Sequence, residues 1–83
     1  METTRGTITV EILFFARTRE IAGCTTTTLN VPEGSDVSSL RAAVAGRFPG
    51  LAGALRSCRI AVDEVFADDT DGLHDGATVA IIP

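Results

Sequence analysis

The sequence predicts an α+β fold: a mixed sheet of four to five strands with one main helix packed on one face. Three observations carry this expectation. From Thr7 the chain alternates polar and apolar as far as Ile12, the mark of a strand with one buried face, and the alternation stops before Phe15. Val37, Leu40, Val44 and Phe48 fall on one stripe of helical period. The closing stretch, Ala77 to Pro83, follows the turn pair Asp75-Gly76 and reads as a short final strand.

In the first strand Ile8, Val10, Ile12 and Phe14 share one face, with Thr9 and Glu11 on the other. That second face turns apolar at Leu13 and Phe15, so either a second layer covers it or another protein does. Ala16 to Gly23 suits a one-turn helix or wide loop stopped by Gly23. Cys24 to Val31 is a threonine-rich strand with Leu29 and Val31 inward, pairing antiparallel with the first and forming a wet edge. Pro32-Glu33-Gly34 breaks it, and Ser35 or Asp36 offers the cap for the main helix, which Pro49-Gly50 ends. Leu51 to Ser57 is a weaker segment with room for a turn of helix.

Arg59 to Asp63 alternates as a strand with Ile60 and Val62 inward, and Val65-Phe66-Ala67 is a short return strand after the Asp63-Glu64 turn. The acidic run Asp68-Asp69-Thr70-Asp71-Gly72 lacks the ligand order of a calcium-binding loop and reads as a solvated connection, with Leu73 plugging the core beneath it. His74 is most simply a surface residue, since nothing places it near a nucleophile. The last strand suits a parallel position beside the first, because a crossover helix separates them. Val79 and Ile81 then face the helix, while Ile82 joins Leu13 and Phe15 on the open face. Two strands feeding one outward apolar patch favour a partner surface.

At 83 residues the chain is read as a flexible leader over residues 1–6 and one domain over 7–83. A net charge of −4 argues against a nucleic-acid partner, which requires a cationic face. All seven basic residues are Arg; without Lys, Schiff-base and P-loop chemistry are excluded. No apolar run is long enough to span a bilayer, and the polar start carries no secretory signal, so no membrane role is expected and the compartment is read as cytoplasmic. Cys24 and Cys58 read as thiols in a reducing compartment, with a disulfide between them as the alternative. With one His, a zinc site lacks nitrogen and sulfur ligands, and no metal is expected. No Ser/His/Asp or Cys/His grouping supports autonomous catalysis, and two cysteines cannot hold an iron–sulfur cluster.

The stretch from Ile12 to Gly23 resembles the opening strand and turn of the small sulfur-carrier subunits of molybdopterin synthase, in the MoaD/ThiS group of ubiquitin-like β-grasp proteins. Leu73 to Pro83 is similar to that family's last turn and strand. The resemblance implies a carrier and not a free-standing catalyst, with no cofactor bound to the carrier itself. An ATP-dependent adenylating and sulfurating enzyme activates a C-terminal glycine carboxylate, which becomes a thiocarboxylate. The tail then enters the large catalytic subunit, where its sulfur builds the dithiolene of molybdopterin. By position, the family's partner contacts fall on Phe15, Arg19, Phe66 and Ile82, with Pro83 at the base of the tail. The reactive glycine is expected beyond Pro83. The alternatives are a thiamine-pathway sulfur carrier and a ubiquitin-like β-grasp interaction module without sulfur transfer.

Overall fold

The computed structural model describes residues 6–83, so residues 1–5 of the expected leader lie outside the described residues. Gly6 is already tied to the fold: its carbonyl accepts the Glu33 N–H at 3.0 Å. Five strands form one sheet in the order β2-β1-β5-β3-β4. They are β1 (Thr7–Phe14), β2 (Thr26–Pro32), β3 (Arg59–Val62), β4 (Val65–Ala67) and β5 (Thr78–Ile82). The helices are α1 (Ala16–Ala22), α2 (Val37–Arg47) and the short α3 (Ala52–Leu55), entered through a 3₁₀ turn at Pro49–Leu51. None of these helices is long and apolar enough to cross a membrane.

The alternation in β1 places its apolar set against α2. Val10, Ile12 and Phe14 are buried, as are Val79 and Ile81 from β5 and Ile60 from β3. Val37, Leu40 and Val44 close over them from α2. Each such side chain contributes about 1.5–3 kcal/mol by leaving water. Phe48, one turn beyond, meets Phe14 edge-on with ring centroids 5.3 Å apart.

β1 pairs antiparallel with β2 and parallel with β5. β3 pairs antiparallel with both β5 and β4. The final strand therefore sits in the middle of the sheet. This is the expected β-grasp arrangement: a mixed sheet with its main helix on one face.

Local chemistry moves several boundaries. α1 runs for seven residues where one turn or a loop was expected, and Gly23 closes it in the left-handed conformation at φ 79°. β2 starts at Thr26 and runs through Pro32, which pairs with Thr7. On an edge strand the missing proline N–H costs no ladder bond. Pro49 does follow the end of α2, and its fixed φ also suits it to open the 3₁₀ turn. Asp36, not Ser35, caps α2, its carboxylate accepting the Ser39 N–H at 2.9 Å.

The acidic connection is exposed but does more than link strands. The carbonyls of Asp71 and Asp69 accept the N–H groups of Val37 and Ser38, each at 3.0 Å. Those are donors that the first turn of α2 cannot satisfy internally. Asp69 also pairs with Arg41 at 3.0 Å. Leu73 packs against the core below, as expected.

Candidate functional site

The open face of the sheet carries a groove of about 550 Å³, lined by Leu13, Phe15, Ala61, Asp63, Glu64, Phe66, Thr78, Ala80 and Ile82. Its shape follows from one row of partners across the sheet. Leu13 sits opposite Ala80, Ala80 opposite Ala61, and Ala61 opposite Phe66. Directly paired side chains share a face. The two alanines make a low floor between the larger Leu13 and Phe66. Ile82 stands two residues beyond Ala80 on the same face of β5.

Phe15 forms one wall and is 44% exposed. Its backbone is fixed from below by Thr18, a fully buried residue. The Thr18 Oγ1 accepts the Phe15 N–H at 3.1 Å and donates to the Phe15 carbonyl at 2.7 Å. Phe15 is thus held extended, at φ −126° and ψ 147°, as the chain passes from β1 into α1. Ala16 follows at φ 52°, left-handed for a residue with a Cβ. The chain is turned sharply there, leaving Phe15 on the groove side.

Phe66 is 54% exposed on the opposite wall. The Arg59 guanidinium carbon lies 3.8 Å from its ring centroid, a stacked cation–π contact. Arg59 pairs in register with Ile82, so it stands at the end of the groove where β5 leads into Pro83.

The other end is acidic. Asp63 and Glu64 make the two-residue turn between β3 and β4, both left-handed at φ 50° and 70°. Asp63 is anchored to β5: its N–H donates to the Thr78 carbonyl at 2.8 Å, and Oδ1 accepts the Thr78 N–H at 3.0 Å. Oδ2 lies 2.6 Å from His74 Nε2, while His74 Nδ1 lies 2.9 Å from the Asp75 carbonyl. Both ring nitrogens thus face acceptors, an arrangement that only the doubly protonated imidazolium satisfies in full. The Asp63 hydrogen bond accordingly raises the His74 pKa, helped by the Asp75 carbonyl. The Thr78 N–H, then His74, holds the Asp63 carboxyl below its usual value.

The structure brings Phe15, Phe66 and Ile82 to one surface, with the exposed Pro83 following directly. Arg19 is different: it lies on α1, exposed, and is not part of the groove wall. Sequence reasoning left Ala61, Asp63, Glu64 and Arg59 unremarked as site residues. The signal for the turn was the Val-Asp-Glu-Val spacing. The signal for Arg59 was its place two residues before Ala61 on one strand face. His74 is at the surface as expected, but paired. Among the described residues no group of three or more His, Cys, Asp or Glu is arranged to hold a metal.

Both cysteines are free. Cys58 is buried, its thiol donating to the Ala54 carbonyl at 3.1 Å, and burial pushes its pKa up, away from reactivity.

The molybdopterin synthase sulfur carrier subunit of Chlamydomonas reinhardtii is 32% identical over 76 residues, covering 89% of this chain and 92% of that protein. Among solved structures, a chain of the complex of subunits 1 and 2 of molybdopterin-converting factor from Helicobacter pylori aligns at 26% identity with a TM-score of 0.67, covering 92% of this chain and 93% of that one. Small archaeal modifier protein 1 of Haloferax volcanii, at 20% identity, shares the ubiquitin-like fold with a TM-score of 0.86 over 92% of this chain and 97% of that one. Residues 12–83 match the model of the ThiS family, a span that includes the whole groove, and the chain belongs to that family.

Proposed function

We propose that this protein is the sulfur carrier of molybdenum cofactor biosynthesis, the small, non-catalytic subunit of molybdopterin synthase. The observation that carries the reading is the apolar groove of Leu13, Phe15, Phe66 and Ile82, beside the end of β5, the strand that leads into Pro83. A partner seated on this face receives whatever follows Pro83 directly. The named relatives in Chlamydomonas and Helicobacter support that partner as the large catalytic subunit.

In this reading the protein works in the cytoplasm and binds no cofactor of its own. An ATP-consuming enzyme adenylates a glycine carboxylate beyond Pro83, giving it the leaving group that a bare carboxylate lacks. Sulfide-level sulfur then displaces AMP, and the thiocarboxylate delivers sulfur to the pterin precursor in the large subunit. Arg19, outside the groove, remains free to offer the activating enzyme a forked donor.

The test is to incubate the full natural chain with its activating enzyme, ATP and a sulfur source. The expected result is a mass gain equal to one oxygen-to-sulfur exchange, and dithiolene product on adding large subunit and pterin precursor. Thiocarboxylate without dithiolene product moves the protein to the thiamine branch. Lysine-linked conjugates in place of thiocarboxylate make it a modifier, the reading that the archaeal fold likeness supports. Phe15→Asp is expected to weaken large-subunit binding by about tenfold or more while leaving the fold intact. Unchanged binding removes the groove from the interface.

A further inference from the structure

Among the described residues the cation at the end of the groove has no anion. Arg59 is exposed, and among the described residues its guanidinium makes no ion pair or side-chain hydrogen bond. Its contact is the Phe66 ring, 3.8 Å from centroid to guanidinium carbon. A guanidinium seated over a ring in this way keeps N–H groups available for two parallel hydrogen bonds to a carboxylate. A side chain held against the ring has less rotamer freedom to lose on binding than one that waves in solvent.

Position adds a second argument. Arg59 stands beside Ile82, at the exit of β5, whereas Asp63 and Glu64 stand at the far end of β3. Four residues of strand separate the two ends by about 13 Å. Asp63 is committed to His74 and Thr78, which among the described residues leaves Glu64 as the uncommitted anion lining that end. The groove is thus apolar in the middle and oppositely charged at its ends. A partner seated the wrong way round meets like charge at both.

We propose that Arg59 is a specificity residue of this face, pairing in a bidentate fork with an Asp or Glu side chain of the large subunit. The pair forms beside the point where the chain leaves β5. This rests on the carrier reading above. A protein carboxylate fits better than a small anion, because the Phe15, Phe66 and Ile82 surface next to it needs an apolar partner that also dries the ion pair. With water excluded, such a pair becomes worth measurable affinity.

The experiment is titration calorimetry of the full natural chain and its Arg59→Ala, Arg59→Lys and Arg59→Glu variants against the purified large subunit, at low and high salt. Thermal melts accompany each variant; an exposed rim residue should leave them near wild type. Expected is a loss of about tenfold or more for alanine, partial recovery with lysine, and the largest loss with glutamate. One Asp or Glu→Arg variant of the large subunit should restore binding to Arg59→Glu. Wild-type affinity in Arg59→Ala and Arg59→Glu overturns the assignment while the carrier reading stands. Failure of the wild-type chain itself to bind sinks the carrier reading first.

Discussion

Thr18 and Phe15 are locked together by two hydrogen bonds through one hydroxyl, which takes the Phe15 N–H at 3.1 Å and gives its own proton to the Phe15 carbonyl at 2.7 Å. A fully buried threonine thereby sets the backbone of a half-exposed aromatic wall. Thr18→Val keeps the shape but leaves the Phe15 N–H without that acceptor. The expected cost is about 1–3 kcal/mol in urea unfolding, with weaker large-subunit binding. Thr18→Ser should recover most of both. Equal stability of the valine and wild-type forms would show that water replaces the hydroxyl.

The Asp63–His74 pair makes stability depend on pH in both directions. The folded His74 pKa lies above its ordinary value of 6.5. Its contribution is complete below that value and is lost as pH rises through the folded one. The folded Asp63 pKa lies below 3.8, so its contribution is complete above that value and lost as pH falls. Both act together between the two ordinary values. His74→Gln should therefore lower the melting temperature most near pH 5, with the difference from wild type shrinking toward pH 8. A difference that stays constant with pH means the ring acts through packing alone.

The β3–β4 turn holds two residues with Cβ atoms in the left-handed region, at a cost of about 1–2 kcal/mol each. Asp-Gly is the preferred pair for this turn geometry. Glu64→Gly should raise stability by roughly 0.5–1 kcal/mol, part of the relief being offset by glycine's extra freedom when unfolded. The same change removes the uncommitted carboxylate from the groove's far end, so large-subunit binding should fall even as the melting temperature rises. Both moving in one direction would contradict the charge reading of that end.

Legibility followed the range of the forces involved. The periods of β1, α2 and β5 report burial directly, so the core face and the open-face positions of Leu13, Phe15 and Ile82 could be read from spacing, and the parallel neighbour of β1 from the crossover helix. Phe66 reached the site through family likeness, and the structure supplies the reason: it closes the row that Ala61 and Ala80 leave low. Contacts between residues distant in sequence were not readable. Nothing in Asp63 or His74 alone announces their pairing across 11 positions. Nor does the acidic loop announce that its carbonyls cap α2, because that use depends on where the chain returns. Arg59 was hidden for a different reason. A strand-end arginine looks the same in sequence whether it waves in solvent or sits over a ring.

β5 is central, held by β1 on one side and β3 on the other. Without it the sheet separates into two hairpins that share no ladder. The architecture therefore stays open until β5 slots between its two neighbours. Anything attached after Pro83 hangs from the keystone, so only a properly assembled molecule can display it in the right place. A copy in which β5 has not found its place presents that segment without the sheet around it.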